Sequence, residues 1–421
     1  MSLEYDRLDF RVQKWVYKQG WSDLREIQKK AIGPILDGDR DVLISASTAA
    51  GKTEAFFLPA CTAIADKDDG FGILYISPLK ALINDQYRRL EDLCDMLDMR
   101  VTPWHGDSLQ SQKKQAKKNP SGILLITPES LESLLIREPG WVSESFANLK
   151  YIVIDEFHAF IGIERGQHLL SILNRLEHLL DRYKDPIPRV ALSATLGALE
   201  SVPLALRPNK SMLCETITSS QANTTVQVQV QGFTEPADML PNDKRLPADL
   251  RVSQVIYDLS RGGSHLVFAN SRQRTESIAA QLSDFCEQNV VPNEFFPHHG
   301  SLSKELRHDL ETRLQKDSLP TTAVCTMTLE LGIDIGKVTS VFQVTPPHSV
   351  SSLRQRMGRS GRRNTPSVLR MLITEGEVTS SSDITDKLRL QLVQSIAMIR
   401  LLISDKWFEP ADTSQMHFST L

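Results

Sequence analysis

The sequence predicts an α/β protein made of two tandem doubly wound parallel-sheet domains, and three observations carry that prediction. Short, continuously apolar runs rich in β-branched residues alternate with helical patterns, as in sheets covered on both faces by helices. The alternation stops over a polar stretch punctuated by prolines and then resumes. At 421 residues the chain is also longer than one hydrophobic core usually grows.

Residues 41–45 (DVLIS), 72–76 (GILYI), 122–126 (GILLI), 151–154 (YIVI) and 190–192 (VAL) read as buried strands, because each holds a continuous apolar run instead of an alternating one. Helical patterns lie between them, at 81–96 and 166–180. Residues 216–249 are rich in Ser, Thr, Gln, Pro and Asp, with Pro236, Pro241 and Pro247 as breaks, which suits an interdomain linker. Within it Val226, Val228 and Val230 alternate with Gln227, Gln229 and Gln231, the pattern of a half-exposed edge strand. A second set follows, with strands at 265–268, 321–325 and 338–344 and helices at 274–286 and 304–314. Residues 387–407 read as one long helix with Leu388, Leu392, Ile396, Ile399 and Ile403 on its apolar positions. The expected organisation is a first domain over 1–214, a linker and second domain over 215–378, and the start of a truncated helical region over 379–421.

Composition excludes some function classes. Lys and Arg total 48 against 52 for Asp and Glu, so a binder relying on bulk positive charge is not expected. Nucleic-acid contact would have to come from local grooves or backbone amides. The five cysteines are scattered without a Cys-x-x-Cys pair, which argues against a zinc or iron–sulfur site and suits a reducing compartment. Residues 1–10 have no apolar core, so they are not a signal peptide. No apolar run reaches the ~18 residues of a membrane span. The expected address is the cytoplasm, or a nucleus where there is one.

The chemistry-bearing motifs begin with residues 46–53 (ASTAAGKT), which follow the DVLIS strand directly and precede a helix. This is a P-loop with alanine at its first small position. The backbone N–H groups of Ser47, Thr48, Ala49, Ala50 and Gly51 wrap phosphates, Lys52 meets the β/γ oxygens, and Thr53 offers its hydroxyl to Mg²⁺. Strand–loop–helix context disfavours the alternative, an incidental small-residue turn. Asp155-Glu156-Phe157-His158 follows the YIVI strand, at the sheet end where open α/β folds place ligands. Asp155 is expected to hold Mg²⁺ and Glu156 to orient or deprotonate the attacking water; the alternative is an acidic helix cap. His158, a lone histidine, reads as an ordinary packed or surface residue. Residues 355–363 (QRMGRSGRR) are expected to open a helix after Pro346-Pro347, with Arg356, Arg359 and Arg362 near one face as fingers on the γ-phosphate. A solvated basic helix is the alternative, but Gly358 and Gly361 would weaken one and suit close approach to a ligand or another backbone. Lys113, Lys114, Lys117 and Lys118 read as a solvated face more readily than as a phosphate grip.

Together these motifs resemble superfamily 2 helicases, and within them the Lhr-like (large helicase-related) group, over roughly residues 21–377. Residues 21–28 are similar to the adenine-recognition element, although Leu24-Arg25-Glu26-Ile27 stands where a proline-containing lead-in is usual; the stacking aromatic is Phe10, Trp15 or Trp21. Residues 77–82 are similar to motif Ia, 127–130 to motif Ib, 193–195 to motif III, 268–272 to motif IV and 326–336 to motif V, with His105-Gly106-Asp107 between Ia and Ib. Residues 298–303 (HHGSLS) and 329–336 (LELGIDIG) point most sharply to the Lhr-like group.

The resemblance implies two RecA-like lobes with ATP and Mg²⁺ between them. It places Gln28 on adenine, Gly332 and Asp334 near the ribose, and Gln355, Arg359 and Arg362 as completing the pocket. Ser193 and Thr195 would couple hydrolysis to lobe movement. Ser77, Thr127, Asn270, Arg272, Gly300 and Thr326 would hold a single strand by its backbone, DNA in preference to RNA or a hybrid. The implied activity is 3′–5′ movement with duplex unwinding, in DNA repair or defence. Rival readings are a double-strand translocase that does not unwind and an ATP-dependent clamp. Proteins of this group continue into a winged-helix region, so further C-terminal domains or a protein partner are expected. Between Gly336 and Gln355 there is little room for a strand-separating hairpin.

Overall fold

A computed structural model of the chain describes residues 3–46, 50–66, 69–194, 199, 202–218, 225–237, 245–330, 335–336, 338–361, 366–405 and 407. The chain divides into two compact units, with the boundary after residue 221. Each is a parallel sheet covered by helices, a RecA-like arrangement, and the two units follow in tandem.

In the first unit, α1 (Phe10–Lys18) and α2 (Glu26–Asp37) precede β1 (Asp41–Ser45). There follow α3 (Lys52–Ile64), β2 (Gly70–Ile76), α4 (Lys80–Met96), β3 (Val101–Trp104), α5 (Gln110–Lys118) and β4 (Ser121–Ile126). The unit continues with α6 (Pro128–Arg137), α7 (Pro139–Ser145), β5 (Tyr151–Ile154), α8 (Glu164–Leu179), β6 (Arg189–Ser193), α9 (Val202–Leu206) and β7 (Cys214–Thr218). The seven strands run in the order β3-β4-β2-β5-β6-β1-β7, and their pairings are parallel. Alternate side chains feed two cores. Val42, Ile44, Ile73, Tyr75 and Val153 pack with Phe56 and Phe57 of α3, while Leu43, Leu74, Ile76, Ile152 and Ile154 pack with Leu169, Ile172 and Leu176 of α8.

The first strand ends carry a buried charge cluster. Arg207 Nε lies 2.6 Å from Asp41 Oδ2, and Arg189 and Arg207 both pair with Glu177, at 2.9 and 3.2 Å. The Arg207 guanidinium also donates to the Ile187 carbonyl at 2.7 Å. Asp41 opens β1 and Arg189 opens β6, so the cluster locks the sheet end opposite the P-loop.

Residues 215–218 were expected in the linker but belong to this sheet: β7 pairs in register with the whole of β1, from Asp41↔Cys214 to Ser45↔Thr218. Only Ile217 of β7 is buried, and an edge strand with one buried side chain carries little apolar signal. The short strand β3 escaped notice for a similar reason, since it opens on a half-exposed residue and contains a proline.

The second unit holds β8 (Val226–Glu235), α10 (Ala248–Ser260), β9 (Ser264–Ala269), α11 (Arg272–Gln288), β10 (Phe295–His298), α12 (Lys304–Lys316) and β11 (Thr321–Cys325). After these come β12 (Ser340–Val344), α13 (Val350–Met357), β13 (Ser367–Gly376), α14 (Ile384–Lys387) and α15 (Leu390–Ile403). Its order is β10-β11-β9-β12-β13-β8, again with parallel pairings. The Val–Gln alternation is the edge strand β8, paired along its length to β13. The single helix expected over 387–407 is two, because Arg389 takes a left-handed conformation (φ 53°) between α14 and α15. Helix α15 buries Ser395, Met398 and Leu402 against α13 and β13, so residues 390–403 pack as part of this unit. Between Gly336 and Gln355 the described residues form β12 and most of α13, with no β-hairpin. Among the described residues no helix is long and apolar enough to cross a membrane.

Candidate nucleotide and nucleic-acid sites

Three neighbouring strands of the first sheet, β5, β6 and β1, end side by side. They carry Asp155-Glu156, Ser193-Ala194 and the P-loop, so parallel pairing gathers at one edge what the sequence spreads over about 150 residues. Gly51 caps α3 at φ 82°, and a side chain there would put its Cβ 2.7 Å from Gln28 Nε2. Only glycine fits both demands. Gln28 is buried, and its Oε1 accepts the Arg25 backbone N–H at 2.9 Å, which presses the side-chain amide against the phosphate loop. Lys52 Nζ donates to the Ala46 carbonyl at 2.8 Å, across the loop it belongs to. Thr53 lies partly buried in the first turn of α3, and Ala50 packs on the core. Ser47, Thr48 and Ala49 lie outside the described residues. Of the three candidate stacking aromatics, Trp15 and Trp21 pack edge to face at 5.6 Å, and Phe10 is exposed.

Burial and the neighbouring Glu156 charge push the Asp155 carboxyl well above the usual range, against a hydrogen bond from Tyr75 and the Lys52 charge. A cation bound there would offset both causes. The oxygen donors at hand, the Thr53 hydroxyl and the Asp155 carboxylate, are hard ligands of the kind Mg²⁺ takes. Among the described residues no group of three or more His, Cys, Asp or Glu could hold a metal. A hydroxyl and one carboxylate leave an ion's remaining positions to water and phosphate oxygens, a donor set that suits Mg²⁺ with a nucleotide.

His158, read in the sequence as ordinary, connects this edge. Its Nδ1 accepts the Ala194 backbone N–H at 3.2 Å and lies 3.3 Å from Ser193 Oγ and 3.5 Å from Glu156 Oε2. Accepting the amide proton assigns the ring hydrogen to Nε2. Glu156 itself is buried and takes φ 47°, which turns the chain from β5 into the short helix bearing His158. The signal that would have found His158 is strand order, which adjacent residues in the sequence do not reveal. Thr195 lies outside the described residues.

In the second unit the arginine motif differs from expectation. It closes a helix and does not open one: Ser349 caps α13 at its start, and the helix ends at Met357 with Gly358 following. Arg356 and Arg359 therefore do not share a helical face. Arg356 is scaffold, bonded to Glu330 Oε2 at 2.9 Å and Gln343 Oε1 at 2.7 Å over the Phe268 ring. Arg359, beyond the helix, is buried and donates to the Glu330 carbonyl at 2.7 Å. Gln355 keeps a buried Oε1 without a hydrogen-bond partner, a polar atom suited to an incoming donor. Gly361 (φ 74°) sits against the Ser367 backbone, where a Cβ would come within 2.5 Å of its nitrogen. Gly332, Asp334 and Arg362 lie outside the described residues.

The residues expected to hold a strand also gather at sheet edges. In the first unit Ser77 follows β2 and Thr127 follows β4, neighbouring strands on the far side of β5 from the P-loop. Ser77 is fully buried with no partner for its hydroxyl, and Thr127 caps α6, bonding Ser130. In the second unit Gly300, Thr326 and Asn270-Arg272 follow β10, β11 and β9, again three neighbours. Gly300 and Arg272 are exposed, and the Thr326 N–H bonds the His298 carbonyl at 3.3 Å. Asn270 spends its side-chain amide on Thr345 Oγ1 and the Pro346 carbonyl, at 2.9 and 2.8 Å. The lysine-rich helix α5 is partly engaged: Lys113 donates to the His105 carbonyl over the Trp104 ring, and Lys117 pairs with Glu138.

Comparison with known proteins agrees with this geometry. Residues 25–202 match the DEAD/DEAH box helicase family, and residues 249–364 match the helicase conserved C-terminal domain. The chain is 32% identical over 373 residues to the ATP-dependent helicase Lhr-Core of Methanothermobacter thermautotrophicus, covering 83% of this chain and 42% of that protein. Among solved structures, Mycobacterium smegmatis helicase Lhr bound to ssDNA and AMP-PNP superposes with a TM-score of 0.78 at 29% identity, over 95% of this chain and 50% of that one. The DUF1998 helicase MrfA bound to DNA gives a TM-score of 0.75 at 26% identity, over 89% of this chain and 52% of that one. The chain thus spans about two-fifths of the length of the curated relatives it matches.

Proposed function

The chain belongs to the DEAD/DEAH-box helicases, within the Lhr-like group, and from that membership we propose that it is the motor of an ATP-dependent helicase or translocase acting on a single strand. The observation that carries the reading is the shared edge of β1, β6 and β5. There the P-loop lysine, the Ser193 segment and the acid pair lie together, with His158 bonded to the Ala194 amide and 3.5 Å from Glu156. Lys52 and the P-loop amides bind the phosphates, Gln28 reads the adenine edge, and Glu156 positions the attacking water and takes its proton. Thr53 and Asp155 would hold Mg²⁺, which supplies charge neutralisation at the phosphates. The family resemblance also assigns nucleotide-binding roles to Gln355, Arg359 and Arg362, and to Gly332 and Asp334 on the ribose side. Ser193 and Thr195 then couple hydrolysis to the strand-holding residues.

Ser77 and Thr127 in one unit, and Asn270, Arg272, Gly300 and Thr326 in the other, grip sugar and phosphate, so little sequence preference is expected. The relatives named above were solved with ssDNA or DNA, which favours DNA as the strand, with RNA or a hybrid as second choices. Movement runs 3′ to 5′, in DNA repair or defence, and four of the five cysteines are buried as free thiols, which suits the cytoplasm.

Duplexes with a 3′ or a 5′ single-stranded tail test polarity and unwinding together. Release of the 3′-tailed duplex alone is expected; equal release from both overturns the polarity. Because the described residues between Gly336 and Gln355 form no hairpin, a second reading is translocation along a duplex. Displacement of a triplex strand without unwinding of either tailed duplex would favour it.

A further inference from the structure

Tyr75 belongs to none of the motifs, yet its hydroxyl donates to Asp155 Oδ2 at 2.5 Å. The residue lies near the end of β2, directly paired with Val153 of β5, two residues before Asp155. Side chains two apart on neighbouring strands share a sheet face, so the register alone brings phenol and carboxylate together. The ring is 1% exposed and lies 5.6 Å from the ring of Phe57, on the helix that the P-loop starts. Tyr75 is thus held between the P-loop helix and the acid strand, with its hydroxyl aimed at the acid. An apolar residue would fill the same core position; a tyrosine there brings one buried donor, and that donor is spent on one oxygen of Asp155.

We propose that Tyr75 is a positioning residue for Mg²⁺ binding: its hydroxyl fixes the Asp155 rotamer through Oδ2 and leaves Oδ1 for the ion. The inference rests on the reading of Asp155 as the Mg²⁺-holding carboxylate. Partners of this kind orient a ligand without touching the metal, and their loss typically weakens metal affinity by about tenfold to a hundredfold.

The test compares wild type, Tyr75→Phe and Asp155→Asn in binding a fluorescent ADP derivative, titrated first without metal and then with increasing Mg²⁺. Tyr75→Phe keeps the ring against Phe57 and removes only the hydroxyl. The expected result is unchanged metal-free affinity with half-saturating Mg²⁺ raised about tenfold, while Asp155→Asn loses most of the Mg²⁺ response. A merely structural role for Tyr75 would lower both affinities together and the melting temperature with them. If Asp155→Asn loses the response and Tyr75→Phe matches wild type, the positioning role is overturned and the Asp155 reading stands. If Asp155→Asn keeps the full response, the Asp155 reading fails, and Tyr75 fails with it. Mn²⁺ affinity followed by electron paramagnetic resonance gives a second readout, with the same loss expected for Tyr75→Phe.

Discussion

Replacing Arg207 by Met should destabilise the first unit severely and leave its chemistry alone. The guanidinium makes close contacts to Asp41 Oδ2 (2.6 Å), Asp41 Oδ1 (3.1 Å), Glu177 Oε1 (3.2 Å) and the Ile187 carbonyl (2.7 Å). Its side chain is 2% exposed and that of Asp41 is 0%. Methionine fills much of the volume but strands a carboxylate with little water. Removing one partner of a buried pair costs about 3–5 kcal/mol, and at about 2–4 °C per kcal/mol for a domain of this size the melting temperature should fall by roughly 6–20 °C. Calorimetry of the whole chain measures this, with the loss confined to the transition of the first unit. Adding Asp41→Asn should recover part of it, because a neutral amide is cheaper to bury than an unpaired carboxylate. ATP turnover at low temperature should match wild type, since the cluster sits at the strand ends opposite the P-loop. A fall of less than about 3 °C, or a double variant less stable than the single, would refute the reasoning.

Two further predictions concern histidines. His158→Ala leaves the Ala194 N–H without its acceptor, at a cost of about 1–3 kcal/mol; nucleotide affinity should persist while turnover drops at least severalfold, and equal loss of both would count against a link between the acid pair and β6. Burial, with Arg370 nearby, lowers the His265 pKa to about 4. Between that value and about 6.5 the unfolded chain binds more protons than the folded one. Stability is therefore complete above pH 6.5 and is lost as pH falls toward 4, by about 3 kcal/mol. Unfolding free energies of the second unit from urea titrations at pH 7.5 and 4.5 should differ by nearly that much more for wild type than for His265→Gln; parallel pH profiles would contradict the assignment.

The central strands were legible because a strand covered on both faces is buried at every position and tends to an unbroken apolar run, as 151–154 is. Edge strands were not, since β7 buries one residue and β3 contains a proline. The P-loop and the acid pair could be read because their chemistry is local: consecutive residues at the end of one strand. His158 and Tyr75 could not, since their partners lie 36 and 80 residues away and are set beside them only by strand order. The arginine motif misled because its spacing of three suits a helical face, whereas Gly358 follows the helix end and Arg359 lies past it. The hydrogen bonds of the Asn270 amide to Thr345 and Pro346 were not legible either, since those partners lie on a neighbouring strand end.

The central claim is that nucleic acid drives ATP turnover through the edge formed by β1, β6 and β5. Steady-state ATP hydrolysis tests it most directly, measured at one fixed salt concentration with no nucleic acid, single-stranded DNA, single-stranded RNA or a hybrid. The account predicts low basal turnover and strong stimulation by single-stranded DNA. It also predicts a loss of at least about a hundredfold in both Lys52→Ala and Glu156→Gln, the scale of removing one group that meets the reacting phosphate. Turnover that ignores every nucleic acid, or that survives both substitutions, would contradict it.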